Sequence, residues 1–173
     1  MPLNLVISKI GPESDAVLRN VTEHYCYDMS EWFDLNTGAD GRYSYDTESI
    51  WAKGYDAYLV KVDDSLAGFA LIGLAHEWLA DVGAHDIREF FVMRKFRRRG
   101  IGTSMARFLF GEYPGEWLVR VLDANAPAVT FWRGEISSYS VGAYGEAEHS
   151  VNGRRWKFFR FASNSSETRA PIR

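Results

Sequence analysis

The sequence predicts an α+β fold, a mixed class in which mostly antiparallel strands are flanked by helices. Three observations point there. Apolar and polar residues alternate in short runs, helical stripes at 15–25 and 101–109 interrupt them, and Asn152-Gly153 marks a tight hairpin near the C-terminal end. Taken in order, the elements run β-α-α-β-β-β-α-β-α-β-β. That order lacks the regular β-α alternation of a doubly wound sheet.

Each element has a local reason. Leu3 to Ile10 alternates as a first strand and stops at Gly11-Pro12. Ser14-Asp15 can cap a helix whose apolar positions are Val17, Leu18, Val21 and Tyr25. Residues 30–46 mix Gly, Asp, Asn, Ser and aromatics without a period and read as a loop. Thr47 can cap a short helix through Trp51. Tyr55 to Val62 and Leu66 to Leu74 form a hairpin across Asp63-Asp64-Ser65. Asp86 to Met93 is the fourth strand. The next helix sets Ile101, Met105, Phe108 and Leu109 on one face and ends by Gly111 and Pro114-Gly115. Trp117 to Leu122 is the fifth strand. Asp123 or Asn125 opens a helix holding Ala128, Val129, Phe131 and Trp132. Val141 to Ala147 and Trp156 to Ala162 make the last hairpin, and a polar tail runs over 163–173.

At 173 residues, with 46% hydrophobic and 15% aromatic content, the chain has the material for a single packed domain over 1–162. A net charge of −3 argues against general nucleic-acid binding. Cys26 is the one cysteine, so neither a disulfide framework nor a thiolate metal site is expected. His24, His76, His85 and His149 show no metal-ligand spacing, and no metal is expected. No run reaches bilayer length and the N-terminus lacks a basic leader, so the expectation is a cytoplasmic protein without a membrane partner.

Charge is unevenly spread. Between Asn20 and Ile50 stand Glu23, Asp28, Glu31, Asp34, Asp40, Asp46 and Glu48 against Arg42 alone. Between Arg94 and Arg107 there are six cations and no acid. The cations fall where the apolar run of strand four gives way to Gly100 and Gly102 and then to a helix. Glycines there let the backbone turn tightly and approach a ligand, and the helix start leaves N–H groups unpaired. With the helix dipole and the arginines they suit a pyrophosphate. A P-loop would need Gly-Lys-Ser/Thr, and a dinucleotide fold a third glycine early in a βαβ unit; neither is present. A basic helix start, or a patch for an acidic partner, is the plainer alternative.

Arg97-x-x-Gly100-x-Gly102 resembles motif A of the GNAT superfamily of acyl-CoA N-acyltransferases. Asn125-x-x-Ala128-x-x-Phe131-Trp132 is similar to the segment that closes many GNAT acyl-CoA sites. The resemblance covers about residues 3–162 and implies a GNAT-type sheet of about seven strands, splayed between strands 4 and 5. It implies acetyl-CoA as co-substrate, with the pantetheine arm between those strands. Phe91 and Val92 would then offer main-chain contacts, Arg97, Arg99, Gly100, Gly102, Thr103 and Ser104 would hold the pyrophosphate, and Asn125 and Phe131 would flank the arm. Arg98 would reach the 3′-phosphate or solvent.

The implied reaction is direct attack of a primary amine on the thioester. An amine with a pKa of about 10 must lose a proton first. The family often places a base at the start of strand four, where this chain has Asp86 and Glu89, with His85 just before. Glu89 lies among Ile87, Phe90 and Phe91, where burial could raise its pKa; pairing with Arg88 or Arg120 is the structural alternative. Many relatives carry a Tyr, as acid for the leaving thiolate, where this chain has Trp132. An indole N–H is no practical acid, so Tyr139, Tyr144 or water would have to serve. That departure leaves a non-catalytic acyl-CoA-binding or sensing protein as the alternative. On the acceptor side, Glu31, Asp34 and Trp32 suit an ammonium group of a small-molecule or peptide amine, although such aromatics are more often core. A homodimer is compatible with this reading.

Overall fold

The computed structural model describes residues 4–75 and 83–164. The elements are β1 (Leu5–Ile10), α1 (Asp15–Met29), α2 (Thr47–Ala52), β2 (Asp56–Val62), β3 (Ser65–Leu74), β4 (His85–Val92), α3 (Ile101–Glu112), β5 (Gly115–Leu122), α4 (Ala126–Tyr139), β6 (Tyr144–Val151) and β7 (Arg154–Ser163). The fold is the expected mixed α+β class. Its seven-stranded sheet has the order β1-β2-β3-β4-β5-β7-β6. β1 and β2, β2 and β3, β5 and β7, and β6 and β7 pair antiparallel. β4 and β5 pair in parallel, His85 with Trp117 and Asp86 with Leu118. Leu3, expected to start β1, and the tail at 165–173 lie outside the described residues.

The turns follow from their residues. Asp63 and Asp64 between β2 and β3, and Asn152 and Gly153 between β6 and β7, all have positive φ. That is the backbone of a two-residue hairpin whose twist matches its strands. Some local expectations need correction. The N-cap of α2 is Asp46, whose carboxylate accepts the Ser49 N–H at 3.1 Å, and Thr47 is the first helical residue. Val17 stands 42% exposed, because the buried stripe of α1 runs through Leu18, Val21, Thr22 and Cys26. Val141 is 91% exposed in the turn after α4, so β6 starts later than expected.

Internal contacts divide the chain into two compact units, each interrupted in sequence. The first comprises Met1–Gly73 and Arg88–Gly102. Its core gathers Leu18 and Val21 of α1, Ile50 of α2, Leu59 of β2, Phe69 and Leu71 of β3, and Phe91 of β4. Each such side chain contributes roughly 1.5–3 kcal/mol when fully buried. Gly68 lies where a Cβ would collide with the Phe91 carbonyl oxygen, so only glycine lets β3 run this close to β4. The Met93 N–H continues the approach, donating to the Ala67 carbonyl at 2.8 Å.

The second unit comprises Leu74–Ile87 and Thr103–Arg173. Its aromatic centre is Phe110 of α3, 5.1 Å from Trp117 of β5 and 4.8 Å from Phe161 of β7 between ring centroids. Such edge-to-face pairs add to simple area burial. Ser163 ends β7, and its buried hydroxyl donates to the Phe110 carbonyl.

Candidate active site

Glu89 projects from β4 within the first unit, and two phenols reach it. The Tyr25 hydroxyl donates to Oε2, and the Tyr45 hydroxyl donates to Oε1 at 2.8 Å. Tyr25 comes from the buried side of α1 and Tyr45 from the loop before α2. The Tyr25 ring meets Tyr45, Phe69 and Phe91 edge-on, with centroids 6.5, 5.6 and 5.8 Å away. Burial, then the Glu89 charge, pushes both phenols well above the usual tyrosine range, so they stay protonated donors. Arg88, the neighbour of Glu89, holds its guanidinium 4.9 Å above the Tyr55 ring.

Past Val92 the same unit carries the cationic turn. Arg94 to Phe96 forms a single 3-10 turn, Arg98 and Gly100 have positive φ, and α3 begins at Ile101. Gly100, at φ +77°, adopts backbone that a side chain would strain, while the space a Cβ would fill there is open. Arg97 has three neighbours. Its Nε donates to the Val92 carbonyl at 2.7 Å, a terminal nitrogen meets Asp28 at 2.5 Å, and the guanidinium sits 5.5 Å from the Phe91 ring centre. Asp28 also accepts from Arg94 Nε at 2.9 Å. Arg98, Arg99 and Gly100 are exposed. Those residues fit an anionic ligand: exposed cations precede a helix start, with no acid in its first turn.

Asp86, the other carboxylate of β4, belongs to the second unit and has a different setting. It is 0% exposed and takes a two-pronged bond from Arg120 of β5, Nε to Oδ1 at 3.1 Å and a terminal nitrogen to Oδ2 at 2.8 Å. In the same unit the Thr103 hydroxyl donates to Glu135 at 2.7 Å, and Ser104 is partly buried. The Asn125 side chain accepts the Ala128 N–H at 3.2 Å and caps α4. The Phe131 and Trp132 rings lie 5.0 Å apart, and Trp132 is buried. The Tyr139 hydroxyl shares a 2.9 Å bond with Ser163.

The acidic run is partly committed to structure. Glu23 accepts the N–H groups of Tyr43 and Ser44 at 2.7 and 3.0 Å, Asp28 holds the arginines, and Asp46 caps α2. Glu31 and Asp34 are exposed, and Trp32 is partly buried. A polar cleft of about 500 Å³ lies elsewhere on this unit, lined by Glu23, His24, Asp40, Tyr45 and Glu48 among others. Tyr45 thus borders the cleft and reaches Glu89. Among the described residues no three His, Cys, Asp or Glu side chains gather as they would round a metal ion, and no helix is long and apolar enough to cross a membrane.

Sequence reasoning did not find Tyr25, Tyr45 or Asp28 as partners of the predicted residues. One signal was present for Tyr25. A hydroxyl on the apolar stripe of a helix needs a partner once the ring is buried.

The model of the acetyltransferase (GNAT) family matches residues 25–134, which include Glu89, the cationic turn and Asn125 to Trp132. Among solved structures, the ribosomal-protein-S18-alanine N-acetyltransferase of Escherichia coli is similar at 11% identity, with 92% of this chain and 94% of that one covered and a TM-score of 0.60. The yncA protein of Salmonella typhimurium, solved with its cofactor acetyl-CoA, is similar at 16% identity, with 96% and 97% covered and a TM-score of 0.60. The ribosomal-protein-alanine N-acetyltransferase of Brucella melitensis is similar at 13% identity, with 91% and 99% covered and a TM-score of 0.63. At these identities the likeness is one of fold. No curated protein matches the chain.

Proposed function

The chain belongs to the GNAT acetyltransferase family, and from that premise we propose that it moves the acetyl group of acetyl-CoA to a primary amine, with Glu89 as base. The observation that carries this reading is Glu89 itself, a partly buried carboxylate oriented by two phenols four residues before the cationic turn begins at Met93. The amine nitrogen attacks the thioester carbonyl, a C–N bond forms and the C–S bond breaks. Glu89 takes the proton the amine gives up, directly or through water. The departing thiolate is a modest base, comparable with a cysteine thiolate of pKa about 8.5, and takes its proton from water. Asp86 is the weaker candidate for the base, because both its oxygens already face the Arg120 fork.

Donor binding falls to the turn. Arg97, Arg99, Gly100, Gly102, Thr103 and Ser104 hold the pyrophosphate, and the backbone of Phe91 and Val92 serves the pantetheine. Asn125 and Phe131 take their roles from the family pattern. A cationic acceptor suits the exposed Glu31 and Asp34, together with the acids of the polar cleft that Tyr45 borders.

The test is release of free thiol from acetyl-CoA across a panel of polyamines, aminoglycosides, amino acids and peptides. Two solved neighbours are named as ribosomal-protein-alanine N-acetyltransferases, so a peptide beginning with alanine belongs in the panel. Amine-dependent thiol release, with an acetylated amine seen by mass spectrometry, is the expected result. Acetyl-CoA binding without release for any amine would instead favour a binding or sensing protein, the reading that buried Trp132 supports.

A further inference from the structure

We propose that Tyr25 and Tyr45 are positioning residues that hold the Glu89 carboxylate in one orientation and set the pH at which it becomes a base. The inference rests on the reading of Glu89 as base. The geometry is specific. One phenol comes from α1 and one from the loop before α2, and each takes a different oxygen of the same carboxylate. A carboxylate has about four acceptor positions. With one on each oxygen used by a phenol, rotation of the group is restrained.

Two opposing effects then act on Glu89. Packing beside Phe91 and Tyr25 disfavours its charge, whereas a phenol donating to the ionised form favours it. Other ionisable groups beside this cluster include Cys26 and Glu23 of α1 and Arg88 of β4. Burial pushes the Cys26 thiol up to about 11, so it stays neutral across the working range. Arg88 stays cationic throughout that range and favours the ionised carboxylate. Glu23 is engaged by the backbone of Tyr43 and Ser44. Across neutral pH both phenols are neutral donors that favour ionised Glu89. Removing either should raise its pKa, and the acidic limb of the rate profile should move up with it. The shift expected for each phenol is about one pH unit.

The experiment is direct titration of Glu89 by ¹³C NMR in protein labelled at the glutamate carboxyl carbons, with the resonance assigned by its loss in Glu89→Gln. Tyr25→Phe and Tyr45→Phe each keep the ring and lose only the hydroxyl. Tyr45→Phe carries the test if Tyr25→Phe does not fold. The expected result is a higher Glu89 pKa in each variant, with the acidic limb of kcat/KM for acetyl transfer shifted in the same direction. An unchanged or lower Glu89 pKa in the folded variants would overturn the proposal. A raised pKa with no matching limb in kcat/KM would leave the phenols as the groups that set Glu89, and would overturn its role as base.

Discussion

Glu89→Gln is expected to lower kcat/KM for acetyl transfer by about 100-fold or more near neutral pH, the range general-base catalysis supplies. The amide keeps the shape of the carboxylate and can still bond with the Tyr25 and Tyr45 hydroxyls, so the fold should survive. The loss should shrink as pH rises, because free amine accumulates and needs no base. Steady-state rates over a pH series, with circular dichroism as a check on folding, read both effects. A variant with the parental rate and pH profile would remove Glu89 from the mechanism.

Arg120→Ala is expected to cost stability rather than chemistry. Asp86 is 0% exposed and the Arg120 side chain 7%, so truncation leaves a buried carboxylate without its fork. Breaking a buried pair in this way costs about 3–5 kcal/mol, while replacing both partners with apolar residues of similar size is often close to neutral. Urea unfolding should therefore show Arg120→Ala strongly destabilised and the double variant Asp86→Leu/Arg120→Met largely restored. A double variant as unstable as the single one would mean that Asp86 and Arg120 act through other contacts. In Asp86→Asn the acidic limb of the rate profile should stay where it is, which separates the two carboxylates of β4.

Local chemistry made most of the fold legible. Asn152-Gly153 announced its hairpin because few residue pairs accept two successive positive φ values. The stripe through Ile101, Met105 and Leu109 announced α3 because its spacing leaves one face to bury. Errors fell where neighbouring residues compete for a task. Thr47 and Asp46 can both cap a helix, and the carboxylate of Asp46 took the Ser49 N–H. Val17 and Leu18 are adjacent, and the rotation of α1 buried only Leu18.

The candidate site was half legible. Glu89, Asp86 and the glycine-rich turn could be named from type and position, but their partners lie far away in sequence. Tyr25 is 64 residues from Glu89, Tyr45 is 44, and Arg120 is 34 from Asp86. No periodicity encodes such pairings, which arise only when strands and helices pack. The acidic run shows the same limit. Its composition suggested one acceptor-facing surface, whereas Glu23, Asp28 and Asp46 are engaged in holding the loop, the arginines and a helix start.

Acetyl-CoA-dependent thermal stabilisation of the parent chain and of Gly102→Asp tests most directly the proposed hold of the turn from Arg97 to Ser104 on the pyrophosphate of acetyl-CoA. Gly102 lies in the first turn of α3, where an added carboxylate would oppose the phosphates and a side chain would hinder their approach to the backbone. At acetyl-CoA about 100 times its Kd, the parent should gain about 2.7 kcal/mol, read as a rise in Tm of several degrees. Gly102→Asp should unfold cooperatively near the parental Tm without ligand and gain little from acetyl-CoA. No rise in the parent, or an equal rise in the folded variant, would contradict the account.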